Sequence, residues 1–312
     1  MKAAHSTFLP VSALVFNALV WGVSWWPFRQ LEGHGLHPLW STTLIYLMAT
    51  VAVLVWRPAA WRGFAKAPAL WWLFVAAGLT NVGFNWAVTV GDVVRVVLLF
   101  YLMPAWSVLI AWLVLKDRPT RGSLLRLVLA LAGVVIVLKV PGSPWPIPNS
   151  AADWLALAGG LSFAVTNVML RKLGDTPSEW RMVAMFVGGA VLASLAAGAG
   201  MLAGIVSAPA LDTQALPIAL VLCTAFLISN LALQYGAARL AASTTAIVML
   251  SELLFASVSS AWLGAADINM RTLVGGSFIV LAALLAARAP APTPTPSGSA
   301  RDGDQTASGI QT

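Results

Sequence analysis

The stretch VRVVLLFYLMPAWSVLIAWLVL, residues 94–115, is long enough and apolar enough to cross a lipid bilayer. Pro104 lies near its middle and has no backbone N–H, so the carbonyl of Phe100 loses its helical hydrogen-bond donor. Inside a membrane, such a carbonyl is tolerated only where it faces protein or a wet cavity. Tyr101 and Ser107 lie three residues on either side of Pro104, on the same helical face. We therefore expect this helix to line a central cavity.

Apolar runs of this kind recur along the chain of 312 residues, of which 59% are hydrophobic and 9% charged. Soluble domains carry roughly 25% charged residues. The composition therefore predicts an all-α, polytopic membrane protein with ten transmembrane helices. The predicted spans are residues 8–28, 38–56, 70–90, 94–115, 123–140, 154–170, 183–206, 216–236, 243–263 and 273–287.

The basic residues predict how these spans are oriented. If the N-terminus is cytoplasmic, 14 of the 18 Lys and Arg residues lie on the cytoplasmic side. Only Arg29, Arg95, Lys139 and Arg271 fall outside. This bias favours cytoplasmic N- and C-termini. The basic residues behind the net charge of +7 thus lie in short loops between spans. We expect the lipid bilayer as a partner and expect no binding of nucleic acid.

The two halves of the chain resemble each other. Residues 18–31 align with 160–173, which places Trp21 opposite Phe163. Residues 101–115 align with 249–263. In that second alignment Tyr101 falls on Met249 and Pro104 falls on Glu252, so one half carries a helix-breaking proline where the other carries an acid.

A unit of five spans is odd, so two tandem copies insert with opposite topology. We therefore predict two inverted five-helix repeats, residues 1–140 and 141–288, and a disordered cytoplasmic tail over residues 289–312, which are rich in Pro, Ser, Thr and Gly. Inverted repeats place a binding site near the membrane midplane and work by alternating access. This organisation predicts a transporter of a small-molecule substrate.

Glu252 is the one carboxylate that the sequence places deep inside a span. Ionisable residues at membrane depth are costly and point to function. Glu252 has three possible roles: it binds a substrate ammonium, exchanges a proton, or pairs with a buried base. The alternative is a protonated acid that only bonds a neighbouring helix.

Polar and aromatic residues at membrane depth complete the candidate site. Asn81 and Asn85 are one helical turn apart in the third span, and Asn230 and Gln234 have the same spacing in the eighth. Each pair either lines the cavity or bonds between helices. The aromatic candidates are Trp21, Trp86 and Phe163, whose rings stack or receive a cation if they do not face lipid.

The sequence offers no sign of an enzyme. It has no metal-ligand spacing, nucleotide loop or catalytic triad, and no histidine or second carboxylate lies in a span with Glu252. We expect no cofactor and no metal. A channel or structural membrane protein is the remaining non-transporter alternative. The sequence leaves open whether the protein is a monomer or a dimer.

With ten spans, two repeats, Trp21 in the first helix, and Pro104 followed by the charged turn at Lys116, the chain resembles the EamA-type branch of the drug/metabolite transporter superfamily. The segment Tyr101-Leu102-Met103-Pro104 is similar to the Tyr-Leu-Trp-Pro segment of its aromatic amino acid exporters, called YddG. Three positions depart from that family's residues, since Met103 and Phe163 each replace a tryptophan and Asn81 replaces a tyrosine.

The resemblance implies a bacterial inner-membrane exporter of amino acids, aromatic and other neutral ones, and of related metabolites. The departures make its pocket less aromatic than that of the family. An exporter of other metabolites or of cationic drugs, with Glu252 as the cation site, is the alternative.

Overall fold

The structure is a computed structural model that describes residues 7–91, 93–139, 142, 145, 147–210, 212–264 and 270–288. All regular secondary structure formed by these residues is helical, which confirms the predicted all-α class. The predicted tail, residues 289–312, lies outside the described residues. Residue 140, where the first repeat was predicted to end, also lies outside the described residues. The side chain of Arg95 is not described either.

The described residues form fourteen α-helices, two of which are extended by a short turn of another helical type. A 3₁₀ turn at Ala60–Arg62 leads into the fourth helix, and a π turn at Ala111–Leu115 continues the seventh. The helices are α1 (Phe8–Val23), α2 (Trp25–Gly33), α3 (Pro38–Trp56), α4 (Gly63–Lys66), α5 (Ala69–Val90), α6 (Val93–Phe100), α7 (Met103–Ile110), α8 (Arg121–Leu138), α9 (Ala151–Lys172), α10 (Ser178–Leu202), α11 (Ala215–Arg239), α12 (Ala242–Met249), α13 (Glu252–Trp262) and α14 (Met270–Ala287).

These helices assemble into long apolar segments that match the predicted spans. In the part of the chain that the structure describes, nine segments are long and apolar enough to cross a membrane. A tenth is present if the pair Ala60–Lys66 and Ala69–Ala87, bent by 118°, counts as one span. Each of the ten overlaps one of the runs predicted from the sequence, so the protein is a multi-pass membrane protein.

Two of these segments are broken in the middle. The fourth span is interrupted at Tyr101 and Leu102, where Pro104 has no N–H to continue the α-helical pattern, and the N–H of Leu102 bonds the carbonyl of Leu99. The ninth span is interrupted at Leu250 and Ser251 without a proline, and the Ser251 N–H bonds the carbonyl of Val248. Both breaks are thus closed by tight three-residue turns.

The breaks occur at matching places in the two halves. Phe100 and Met249, the last residues before each break, are 149 positions apart, as are Met103 and Glu252, the first residues after each break. Helices α8 and α14 both have 18 residues and show the same spacing. If the two breaks are aligned, Met103, one residue before Pro104, falls opposite Glu252.

Close contacts between helices depend on glycine, as is common in membranes. In α8 and α14, a Cβ added to Gly133 would lie 2.6 Å from the carbonyl oxygen of Gly275, and one added to Gly275 would lie 2.6 Å from that of Gly133. In α10, Gly188 lies against the carbonyl group of Phe74 in α5. Side chains at these positions would separate the helices.

Replacing Gly188 with alanine places a methyl group where the carbonyl oxygen of Phe74 lies. Overpacking of this kind costs about 1–3 kcal/mol. We expect Gly188→Ala to lower the melting temperature of the purified protein in detergent. Gly198→Ala in the same helix is the matched control, because nothing lies within 4 Å of its added Cβ. Equal melting temperatures for the two variants would contradict this packing.

Candidate functional site

A pocket of about 900 Å³, mouth included, lies among the helices of both halves. It is walled by α1, α3, α5 and the break between α6 and α7 on one side, and by α9 to α13 on the other. Its polar lining residues are Asn17, Thr80, Asn81, Asn85, Thr166, Asn230 and Glu252. Its aromatic lining residues are Trp21, Tyr46, Phe84, Phe100, Phe163, Phe186 and Phe226. Met103, Met185 and Met249 add sulfur to the wall.

The aromatic rings form two groups within the pocket wall. In the first, Trp21 stacks on Phe226 with ring centroids 4.6 Å apart, and Tyr46 meets Phe226 edge-on at 6.2 Å. In the second, Phe100 lies 4.9 Å from Phe84 and 6.2 Å from Phe163. A flat apolar group entering the pocket therefore has ring faces and edges on two sides.

Most amide groups of the pocket are bonded to the protein itself. The hydroxyl of Tyr46 donates to Oδ1 of Asn81 at 3.0 Å. Nδ2 of Asn85 donates to Oγ1 of Thr42 at 2.8 Å. These bonds hold α3 against α5, so Asn81 and Asn85 position helices as well as face the pocket.

Asn17 differs from the other amides. Its Nδ2 donates to the carbonyl oxygen of Ser229 at 2.9 Å and to the Ser229 hydroxyl at 2.5 Å. Its Oδ1 is buried and has no hydrogen-bond partner among the described residues. Buried polar atoms without partners are uncommon and call for an explanation. Asn17 thus holds an unpaired acceptor oxygen in the pocket wall.

Glu252 and Tyr101 join the two broken spans. The Tyr101 hydroxyl donates to Oε1 of Glu252 at 2.7 Å. Tyr101 lies in the α6–α7 break, and Glu252 is the first residue of α13, directly after the other break. The N-terminal end of a helix favours a negative group. The bond therefore links the two halves, while Glu252 also faces the pocket.

The pocket lining carries negative charge only. Glu252 is its single carboxylate, and no lysine, arginine or histidine contributes to it within the described ranges. A substrate with a positive group has a counter-charge here, whereas a substrate anion has none. No group of residues suited to hold a metal ion is found in the described part of the chain.

A second groove opens on the outer face of the protein between α13 and α14. Its walls include Leu254, Val258, Leu273 and Val280. It has no ionisable side chain in its described lining, and its polar lining groups are the hydroxyls of Ser257, Thr272 and Ser277.

Eight of the twelve residues predicted from the sequence line the central pocket: Trp21, Asn81, Asn85, Met103, Phe163, Asn230, Met249 and Glu252. Two more lie directly behind it. Tyr101 holds Glu252, and the Nε2 of Gln234 donates to Oδ1 of Asn230 at 2.6 Å.

Pro104 and Trp86 are placed elsewhere. Pro104 is buried in the first turn of α7, and the carbonyl oxygen of Phe100 faces Gly160 of α9 rather than the pocket. Trp86 packs against a separate cluster that includes Leu39 and Val206, and it does not line the pocket. It is five positions beyond Asn81, which turns its side chain about 140° away from that of Asn81 on a helix of 3.6 residues per turn.

The sequence reasoning missed Asn17, Tyr46 and several phenylalanines. Asn17 had a signal, because it is an amide inside a predicted span and such groups seek partners there. The phenylalanines had none, because a phenylalanine that faces lipid looks the same in the sequence.

Tyr101→Phe keeps the ring but removes the hydroxyl that bonds Glu252. A double-mutant cycle combines Tyr101→Phe with Glu252→Ala. We expect a coupling of about 1 kcal/mol in the free energy of unfolding in detergent, as for other hydrogen bonds between membrane helices. Tyr235→Phe in α11 is the control, because its hydroxyl makes no hydrogen bond among the described residues and its ring is already held by Arg239. Additive effects of Tyr101→Phe and Glu252→Ala would contradict the link.

Comparison with known proteins agrees with this geometry. Residues 9–139 match the model of the EamA-like transporter family. No curated protein is matched by the sequence. A crystal structure of another protein shares the fold, with a TM-score of 0.68 and 18% sequence identity, over 88% of this chain and 96% of that chain. The family consists of transporters rather than enzymes, which fits the lack of an enzymatic signature. The match in the first half supports the superfamily assignment made from the sequence.

Proposed function

We propose that this protein is a secondary transporter that exports amino acids and related metabolites by alternating access. The observation that carries the proposal is the hydrogen-bonded pair of Tyr101 and Glu252, which joins the two broken spans at the wall of a pocket shared by both halves. A pocket shared by two halves opens to the other side of the membrane only if the halves move relative to each other.

The packing of the helices supports two inverted five-helix halves, residues 1–140 and 141–288. Each span of the first half has an equivalent in the second: α1 and α9, α3 and α10, α5 and α11, α6–α7 and α12–α13, and α8 and α14. If every helix in a contacting pair is replaced by its equivalent, most pairs become other pairs that are also in contact. The contact of α5 with α9 becomes that of α11 with α1, and the contact of α10 with α5 becomes that of α3 with α11. The pairs α3–α10 and α8–α14 exchange with themselves.

The exchange is not perfect, and the differences support alternating access. Helix α10 packs more extensively on α5 than α3 does on α11, although the two pairs are equivalent. Helix α11 also contacts α9, whereas the equivalent pair α1 and α5 is more weakly packed or apart. An inverted repeat reaches its other state by swapping these unequal contacts between halves.

Amino acids fit the pocket through two kinds of contact. The substrate ammonium pairs with Glu252, and an aromatic or other neutral side chain lies between the two groups of rings, close to Trp21 and Phe163. The remaining amide N–H groups of Asn81 and Asn230 are the donors for the substrate carboxylate. Neither a cofactor nor a metal takes part in this mechanism.

Cationic metabolites or drugs are the second candidate substrates. The specific observation in their favour is that Glu252 has no basic residue beside it in the described pocket lining. A cation paired with Glu252 leaves the pocket neutral, whereas a zwitterion leaves it with a net negative charge. Tryptamine and tryptophan, which differ only in the carboxylate, separate these two candidates.

We place the protein in the bacterial inner membrane with both termini cytoplasmic. This orientation rests on the 14 of 18 basic residues that it leaves on the cytoplasmic side. The bilayer and the small-molecule substrate are its proposed partners, and the proposal involves no nucleic acid.

The test is counterflow of tryptophan, phenylalanine and tryptamine in proteoliposomes that contain the purified chain. We expect saturable flux that unlabelled substrate in the opposite compartment stimulates. Trp21→Ala removes the ring stacked on Phe226 and should reduce flux by up to roughly tenfold, in line with the loss of about 0.5–1.5 kcal/mol of ring contact.

Trp86→Ala, in the wall of α5 turned away from the pocket, is the matched control and should leave flux within about twofold of wild type. Melting temperatures of both variants in detergent separate a loss of binding from a loss of fold. Equal loss for both variants would contradict the placement of the site, and no saturable flux of any of the three compounds would contradict the function.

A further inference from the structure

Glu252 is the sole charged group that the described residues place in the pocket wall. Its Oε1 accepts from Tyr101 at 2.7 Å, and its Oε2 has no hydrogen bond within the described part of the chain. One oxygen is thus fixed by the protein and the other is left for whatever enters the pocket.

No positive side chain of the neighbouring helices neutralises this carboxyl group. Helices α1 and α14 pack against α13. Helix α1 has no ionisable residue, and neither has α12, which precedes the break. Arg271, the one ionisable side chain of α14, lies in the first turn of that helix. This turn follows the C-terminal end of α13 in the chain, whereas Glu252 is at the N-terminal end of α13. The other titratable groups nearby are the phenols of Tyr101 and Tyr46, and a phenol is neutral when protonated.

A carboxylate without a counter-charge is costly to hold inside a membrane protein. Two small species relieve that cost from within the pocket: a proton and the ammonium group of a substrate. Both need the same free oxygen, because the other is occupied by Tyr101.

From this geometry we infer that Glu252 binds a proton and a substrate ammonium in turn, and never both, so that each amine that binds displaces one proton. The inference rests on the proposed function and names its coupling ion. The step balances as follows: the carboxylic acid loses the proton of Oε2 to water, and the carboxylate formed accepts a hydrogen bond from the ammonium. The pocket is neutral with the proton and neutral with a monoamine.

Exchange of this kind couples transport to a proton gradient. The empty carrier crosses between its two states with Glu252 protonated, and the loaded carrier crosses with the amine. Export of one amine therefore brings one proton inward. Because acid favours the protonated site, amine binding weakens as the pH falls.

The experiment measures proton release when tryptamine binds to the purified full-length protein in detergent. Isothermal titration calorimetry in buffers of different ionisation enthalpy gives the number of protons released at each pH from 5 to 8. We expect close to one proton per bound tryptamine at the acidic end, and there a dissociation constant that rises about tenfold for each unit by which the pH falls.

Glu252→Gln should abolish the proton release, because the amide does not titrate. Glu252→Asp, which keeps a carboxyl group, should retain it. Glu32→Gln, an exposed residue of α2, is the control and should release protons like the wild type. Melting temperatures of all three variants show whether each is folded.

Tryptamine binding by the wild type without proton release at any pH from 5 to 8, or release retained in folded Glu252→Gln, would overturn the inference while leaving the proposed function standing. The proposed function fails differently, through the absence of any binding or counterflow of tryptamine and tryptophan. The wild-type pH series alone decides the matter if the variants do not fold.

Discussion

Two helices that stop in mid-membrane leave backbone groups without helical partners and place a carboxyl group at membrane depth, and the protein has to satisfy them from within. It does so by placing the two breaks beside each other, with α7 packed on α12. The Tyr101 hydroxyl then bonds Glu252 across the gap. Because these residues belong to different halves, one hydrogen bond both pairs the acid and joins the halves at the wall of the pocket.

The pocket around this bond is built mainly from groups that satisfy one another. Tyr46 bonds Asn81, Asn85 bonds Thr42, and Gln234 bonds Asn230. Amides used in this way hold helices in register and lose much of their capacity to select a ligand. Selection then falls largely to the rings, which recognise shape, and to Oε2 of Glu252, which makes no hydrogen bond among the described residues.

The sequence predicted the membrane-spanning segments because hydropathy over some twenty residues depends on composition alone. It predicted the break at Tyr101 because proline lacks a donor, but it did not predict the break at Leu250, where no such residue marks the position. It identified Glu252 because a lone acid in a span is rare. It misplaced Trp86 because closeness in sequence to Asn85 is not closeness on a helix face, and it missed Tyr46 because its partner, Asn81, is 35 positions away.

The central claim is that the carboxyl group of Glu252 faces a ligand pocket between the two halves. A high-resolution structure of the protein with bound tryptamine tests it most directly. The account predicts density for the amine within hydrogen-bond distance of Glu252 Oε2, with the indole ring between the two groups of aromatic side chains. Density for tryptamine in the outer groove between α13 and α14 instead, or a Glu252 side chain turned to the lipid, would contradict it.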